Sequence, residues 1–560
     1  MFLTLLACLT STAVAGSLIP RAGTSVTISN GTVFGSSSGG VESFMGIPYA
    51  QPPTGSLRLK PPKPLATSFG TIDAIGVPQA CPQFLGQLHA ENLPLEVLGL
   101  LTSTPIFADL SSVAGEDCLT INVQRPEGTS YNAELPVVIW IHGGGFEIGA
   151  TQVYDGSIFV NQSISMNNPV IYVAMNYRLG GFGFLAGSQV KADGSANLGL
   201  RDQRLAIQWV QDNIGAFGGD PTKVTLWGES AGALSVLDHT IINGGDISYN
   251  GKPLFRAAIM QSGSVWPALP VDSDKSQAIF DQVVESAGCA NAADSLACLR
   301  GLSYDDFLSA VTSVPNFVDS SSVNLSYLPR PDPSDDFFPV SPETAIRSGA
   351  YAKVPLIIGD VKDEGTLFSL PQTDLSTTQQ LISYLKSYFP LASTLQVAGL
   401  AAIYPDEPED GSPYDTGSAN QIYPQFKRLA SIIGDLFFDL ARRSYLTSVS
   451  YTVKTWTYLD TSLYGLPVLG TFHVSDLFQI FFDVPDAVAG SNMRKYFISF
   501  INTLDPNSYN SATGLTSWPQ YSLILPKMMN FSATTTSLTW DTYRPINFLY
   551  ITTQLSSFRL

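Results

Sequence analysis

Val224-Thr225-Leu226-Trp227-Gly228-Glu229-Ser230-Ala231-Gly232-Ala233-Leu234-Ser235-Val236-Leu237-Asp238 puts an apolar run, a glycine-flanked serine and a helix-capable run in direct succession. Strand, tight turn, helix is the context in which Gly-x-Ser-x-Gly carries chemistry. The glycines clear space for the backbone, and the turn lifts the serine hydroxyl out of the fold. It also sets Ser230 at a helix N-terminus, where partial positive charge favours a developing anion. The same pattern occurs once more, at Gly35-Ser36-Ser37-Ser38-Gly39. In a chain with 47 glycines such a match is weak by itself. That copy reads as a Gly/Ser hairpin tip with no helix behind it, and carries no expected function.

A serine hydroxyl needs a base. In strand-turn-helix hydrolases of this kind the chain order is serine, acid, histidine, and four histidines are available. His89 and His142 precede Ser230. His239 lies on the helix that follows it, about 13 Å along an unbroken helix axis. His473, in the loop Gly470-Thr471-Phe472-His473 after the run Val453–Leu459, is left. The acid should lie between them at a strand end, where Val354–Ile358 runs into Gly359-Asp360-Val361-Lys362-Asp363-Glu364. Residue chemistry alone does not choose among Asp360, Asp363 and Glu364. Oxyanion donors are expected where the strand Pro136–Ile141 enters His142-Gly143-Gly144-Gly145-Phe146, since glycines let amides approach a substrate oxygen. The amide of Ala231, next to the nucleophile, is a second source.

The rest of the chain fits this frame. Short apolar runs at Pro136–Ile141, Pro169–Met175, Val224–Trp227, Ala257–Met260, Val354–Ile358 and Val453–Leu459 predict strands buried on both faces of a mostly parallel sheet. Gly199–Ile214 predicts a helix stopped by Gly215 and Gly218-Gly219-Asp220-Pro221. Thr24–Phe34 and Val41–Ile47 predict a hairpin around the tip Gly35–Gly40. The fold class is α/β, read as one large domain over 16–560.

The 560 residues carry 29 Lys+Arg against 47 Asp+Glu, a net charge of −18. Such a chain should be repelled by nucleic acid and by anionic membranes, which leaves a neutral lipid–water interface or an uncharged substrate. With 44% hydrophobic and 14% charged residues it is neither disordered nor a coiled coil. Residues 1–15 read as a signal peptide, with an apolar core Phe2–Leu9 and Ala13-Val14-Ala15 before the cut, so the mature chain is expected to be secreted. Cys8 leaves with it. Cys81, Cys118, Cys289 and Cys298 remain, an even count that suits two disulfides, and proximity favours Cys81–Cys118 and Cys289–Cys298. Sequons at Asn30, Asn161, Asn324 and Asn530 are compatible with glycosylation.

Phe44-Met45-Gly46-Ile47-Pro48-Tyr49-Ala50-Gln51-Pro52-Pro53, Glu116-Asp117-Cys118-Leu119-Thr120-Ile121-Asn122-Val123, Gly143–Phe146, Phe217-Gly218-Gly219-Asp220-Pro221, Trp227–Gly232, Asp363-Glu364-Gly365-Thr366 and Gly470–His473 together resemble the type-B carboxylesterase/lipase family of α/β-hydrolases. Within it the chain looks like the fungal Candida rugosa-type lipases and steryl esterases. The resemblance implies an α/β-hydrolase fold and a secreted serine ester hydrolase acting on apolar long-chain esters. It implies Ser230 as nucleophile, Glu364 as acid, His473 as base and oxyanion donors at Gly144, Gly145 and Ala231, without metal or cofactor. It implies the same two disulfides. His142 departs from the family's usual aromatic and is assigned no catalytic role.

Segment 82–117 resembles the lid of these lipases. Leu93, Val97, Leu100 and Leu101 fall on one helical face, with Glu91, Glu96 and Ser103 away from it and Phe84, Leu85, Leu88, Ile106 and Phe107 around it. Such a cover hides an apolar face in water and turns it toward lipid at an interface, and it offers a surface for a homodimer. A short-chain esterase without interfacial activation and a non-catalytic binding protein on the same scaffold are the rival expectations.

Overall fold

The computed structural model describes residues 23–84, 93–482, 488–509 and 514–560. The signal-peptide reading of 1–15 with Cys8 lies outside the described residues, as do Leu85, Leu88, His89 and Glu91 of the cover.

One large twisted sheet organises the chain. Its strands are β1 (Thr24–Ile28), β2 (Gly31–Ser38), β3 (Val41–Pro48), β4 (Gly70–Asp73), β5 (Thr120–Pro126), β6 (Leu135–Ile141), β7 (Ile171–Met175), β8 (Gly219–Glu229), β11 (Ala257–Gln261), β12 (Leu356–Val361), β13 (Thr455–Asp460), β14 (Lys527–Phe531) and β15 (Thr536–Trp540). A separate two-stranded ribbon pairs β9 (Ser248–Tyr249) with β10 (Lys252–Pro253). The order across the sheet is β1-β2-β3-β5-β7-β6-β8-β11-β12-β13-β14-β15, with β4 beside β2.

From β7 to β14 every neighbouring pair is parallel. All of these strands except β14 are the ones that the apolar runs predict. Helices cover both faces of this stretch, so β6 and β7 bury nearly every side chain rather than alternating. The two ends of the sheet are antiparallel: β1, β2, β3 and β5 form a meander on one side, and β14–β15 pair on the other. The sheet is therefore mixed, with a parallel centre that holds the site.

The expected hairpin near the N-terminus differs in detail. Thr24–Phe34 is split by a two-residue turn, since Ile28 pairs with Gly31. Gly35–Ser38 belongs to β2, and the tip is only Gly39-Gly40, with φ of 57° and 84°. Both tip residues need positive φ, the requirement of a tight hairpin turn, and two adjacent glycines meet it. Gly35-Ser36-Ser37-Ser38-Gly39 is thus ladder and turn, followed by strand β3 rather than by a helix.

The predicted helix is observed at Leu198–Asn213, buried along Leu200, Ile207 and Val210, and Gly218 stops it in a left-handed conformation. Arg204 of the same helix is buried and donates to the carbonyl of Asp246. Behind the parallel strands Trp140 meets Trp227 edge-to-face at 5.0 Å, and Phe481 packs 4.8 Å from Trp140. Among the described residues no helix is long and apolar enough to cross a membrane.

Both disulfides, Cys81–Cys118 and Cys289–Cys298, are formed. The first closes a loop of sequence separation 37. Replacing both of its cysteines with serine is expected to cost about 4 kcal/mol through the freed unfolded chain. The measurement is the shift of the denaturant midpoint under non-reducing conditions. Of the four sequon asparagines, Asn161 is exposed on the helix Ser157–Ser165, whereas the amide oxygen of Asn324 accepts from the partly buried Lys275 ammonium.

Candidate active site

The strand order reverses at β6: the chain leaves it toward β7 on one side and returns to β8 on the other. At such a switch point the loops beyond the two carboxyl ends diverge and leave a crevice. The glycine run after β6 and the serine turn after β8 face each other across it.

Ser230 sits between β8 and the helix Ala231–Ile241 with φ 54° and ψ −126°. That conformation is rarely adopted by a side-chain-bearing residue and persists only where the surroundings impose it. They do so here. The Ser230 amide donates to the Gln261 carbonyl at the end of β11 (2.9 Å), and the Ser230 carbonyl accepts from the Leu234 amide (2.9 Å). A Cβ on Gly228 would lie 2.4 Å from the Gly232 carbonyl, and one on Gly232 would lie 2.0 Å from the Ile141 oxygen. Both motif glycines are therefore steric requirements of the turn. Gly232→Ala is expected to destabilise the fold by about 3 kcal/mol or more, because backbone must move against backbone. Thermal denaturation of the purified variant measures this.

His473 reaches this serine from the loop after β13. Its Nε2 lies 2.8 Å from Ser230 Oγ, and its Nδ1 lies 2.6 Å from Glu364 Oε2. The loop is splinted to the end of β12: the Asp363 amide donates to the Thr471 carbonyl, and the Asp363 carboxylate accepts from the amides of Thr471 (3.0 Å) and Tyr414 (2.8 Å) and from Ser412 Oγ (2.9 Å). Asp360 instead enters a buried ion pair with Arg442 at 2.6 Å. The three acids that the sequence left open thus have three separate partners, and only Glu364 meets the histidine. Its other oxygen accepts from the Val361 amide at 2.9 Å.

Burial governs the electrostatics. It pushes the His473 imidazole down to about 3, against a smaller upward pull from Asp476. A neutral imidazole is the form that can take a proton from the serine. Burial pushes Glu364 upward, opposed by the Ser262 side chain and the Val361 amide. Glu229, the variable residue of the motif, was not singled out by sequence reasoning. Its carboxyl is buried 3.4 Å from His473 Nε2 and is pushed up by burial first and then by Asp476 and Glu364. Its place between two glycine-flanked positions was the available signal, but nothing local marks the side chain as pointing inward.

Across the crevice Gly144 and Gly145 hold φ of 103° and 63°. The amides of Gly144, Gly145 and Ala231 donate to no acceptor among the described residues. His142 is buried, stacks on Tyr177 at 4.5 Å and turns Nδ1 to the Gly143 carbonyl, and burial lowers it to about 4. It stands behind the glycines, away from the serine. His239 lies back along its helix and meets Gln203 at 3.1 Å.

Ser230, Ala231, His473 and the three glycines line a cavity together with Glu229, Tyr154 and apolar side chains that include Trp266, Phe317 and Phe368. Ile106 and Phe107 of segment 82–117 close it. A second, mostly apolar cavity shares Phe107, Ile148, Phe317 and Phe368 with the first and is lined by Leu101 and Thr102. These belong to the helix Leu95–Ser103, which buries Val97, Leu100 and Leu101, while Leu93 packs partly buried and Glu96 faces solvent. The predicted apolar face is the buried one, and its Leu101 reaches the second cavity.

Residues 22–545 match the carboxylesterase family. The chain is 50% identical over 532 residues to secreted lipase 1 of Botryotinia fuckeliana (strain B05.10), covering 94% of this chain and 92% of that protein. It is 48% identical over 531 residues to a secreted triacylglycerol lipase of Gibberella zeae, covering 94% and 89%. The crystal structure of Aspergillus niger EstA superposes with a TM-score of 0.80 at 26% identity, covering 96% of this chain and 99% of that one.

Proposed function

Because the chain belongs to the carboxylesterase family, we infer that Ser230, His473 and Glu364 are the catalytic triad of its ester hydrolysis. The protein is a secreted carboxylic ester hydrolase of the lipase type. The observation that carries the residue assignment is the unbroken relay Ser230 Oγ–His473 Nε2 (2.8 Å) and His473 Nδ1–Glu364 Oε2 (2.6 Å) beside three unpaired amides.

His473 takes the Ser230 proton as Oγ attacks the ester carbonyl, and Glu364 orients the ring and stabilises the imidazolium that forms. The amides of Gly144, Gly145 and Ala231 receive the tetrahedral oxyanion. Donors already in place cost no reorganisation at the moment charge develops, and losing one such donor costs about 10²–10³ in rate. His473 then protonates the leaving alcohol, and water repeats the cycle on the acyl-enzyme. The substrates are apolar esters, triacylglycerols among them, because the walls of both cavities are mostly apolar. Steady-state rates on p-nitrophenyl esters, emulsified triacylglycerol and a steryl ester test this, with labelling of Ser230 by a fluorophosphonate.

Segment 82–117 acts as a cover that opens at a neutral lipid surface. Supporting this are the buried apolar helix face, whose Leu101 lines the adjoining cavity, and the seat of Ile106 and Phe107 in the serine cavity. Opening rehydrates His473, whose lowering to about 3 comes from burial; an imidazole in water titrates near ~6.5. The acid limb of kcat/KM on a soluble ester is expected below that value. It is expected to move up toward it when detergent holds the cover open. An identical acid limb with and without detergent would count against an opening cover.

A further inference from the structure

We propose that Gln83, at the base of the cover, is a positioning residue that braces the oxyanion cradle. The proposal rests on the reading of Gly144 and Gly145 as oxyanion donors. Their turn has little hydrogen bonding of its own: the Gly144 carbonyl accepts from the amides of Glu147 and Ile148, each at 3.0 Å. The far end of the turn is Gly149, at φ 114°, where a Cβ would lie 2.5 Å from His142 Nδ1.

One side chain takes both backbone groups of Gly149. Its amide donates to Gln83 Oε1 at 2.8 Å, and its carbonyl accepts from Gln83 Nε2 at 3.1 Å. Gln83 Nε2 also donates to the Cys81 carbonyl at 2.6 Å. A primary amide offers two N–H groups and an accepting oxygen, and all are used here in a buried position. The next residue continues the seam: the Phe84 amide donates to the Glu147 carbonyl at 2.8 Å. The Glu147 carboxylate in turn accepts from the Phe317 amide at 3.0 Å, and the Phe317 ring lies against Gly145. The residues that begin the cover are themselves anchored by the Cys81–Cys118 bond and by the Ala80 amide on the Val113 carbonyl.

The cystine-closed base of the cover is thus one wall of the cradle, and Gln83 fixes where Gly144 and Gly145 aim their amides. A misplacement of about 1 Å at a reacting centre costs on the order of 10²-fold. Gln83→Met keeps the length and removes every hydrogen bond. It is expected to lower kcat for p-nitrophenyl butyrate by about 10- to 100-fold, with KM within about threefold of the parent. The Ki of a trifluoromethyl ketone, whose hemiketal oxygen occupies the oxyanion position, should rise by the same factor. Gln83→Glu retains the acceptor for the Gly149 amide and should fall between the two.

Rates are taken per titrated serine, so a misfolded fraction drops out. If Gln83→Met does not accumulate, Gln83→Glu is judged by the same parallel change in kcat and Ki. An unchanged kcat, or a fall in kcat with no rise in the ketone's Ki, overturns the brace. Ser230→Ala is measured alongside. Turnover persisting there sinks the catalytic reading itself, whereas a dead Ser230→Ala with an unaffected Gln83→Met sinks only the role of Gln83.

Discussion

Ser230→Ala is expected to lower kcat on a soluble ester by roughly 10⁵–10⁶ while leaving the melting temperature near that of the parent. The large loss follows from how the site is built. Ser230 is the hydroxyl within reach of His473 Nε2 and the free amides, so no neighbour replaces it. Residual rate then comes from the oxyanion donors and substrate binding alone. The small stability change has a separate reason. The strained backbone at φ 54° is held by the Gln261 carbonyl and by the glycines on either side, not by the Oγ. A circular-dichroism melt and single-turnover kinetics on the same preparation read both halves. A variant that loses activity by unfolding would leave the assignment unsupported.

Glu364→Gln and Asp360→Asn form the second test, because these neighbouring acids should fail in opposite ways. Glutamine at 364 still accepts from the Val361 amide. Facing His473 Nδ1 with an N–H, however, it selects the imidazole tautomer that cannot accept the serine proton at Nε2. A comparable change of orienting acid to amide costs about 10⁴ in kcat, and that loss is expected here with little change in stability. Asp360 instead neutralises Arg442, at 0% side-chain exposure, which also pairs with Asp541. Removing one member of a buried pair leaves uncompensated charge and costs about 3 kcal/mol. Asp360→Asn should therefore melt earlier yet keep kcat per titrated serine within a few-fold. If Asp360→Asn shows the catalytic loss and Glu364→Gln the structural one, the roles are reversed.

These contrasts mark where sequence reading stops. The serine turn was legible because its requirements are local: an apolar strand, two glycines without room for a Cβ, and a helix start occupy consecutive positions. His473 followed by elimination, since chain order and helix length excluded the other three histidines. The sequence pattern also anticipated the buried face of Leu95–Ser103, because a helix repeats its orientation every turn. The antiparallel ends of the sheet were less visible. Gly35–Ser38 looks like a tip in composition, and only pairing with Ser43, Glu42 and Val41 makes it strand.

What the sequence by itself determined is the set of candidate groups and the elements that carry them, because strand period, helix period and glycine clearance are properties of short range. What only the tertiary structure decided is which groups meet. Asp360, Asp363 and Glu364 lie within five positions, yet the splint from Asp363 to Thr471 and the direction of the chain at the end of β12 give the histidine to Glu364 alone. Gln83 is silent in the sequence for the same reason. Its partners, at Gly149, become neighbours only when β6 and the cystine-closed segment pack together. Side-chain hydrogen bonds reach about 3 Å, and no local pattern specifies which distant backbone will come that close.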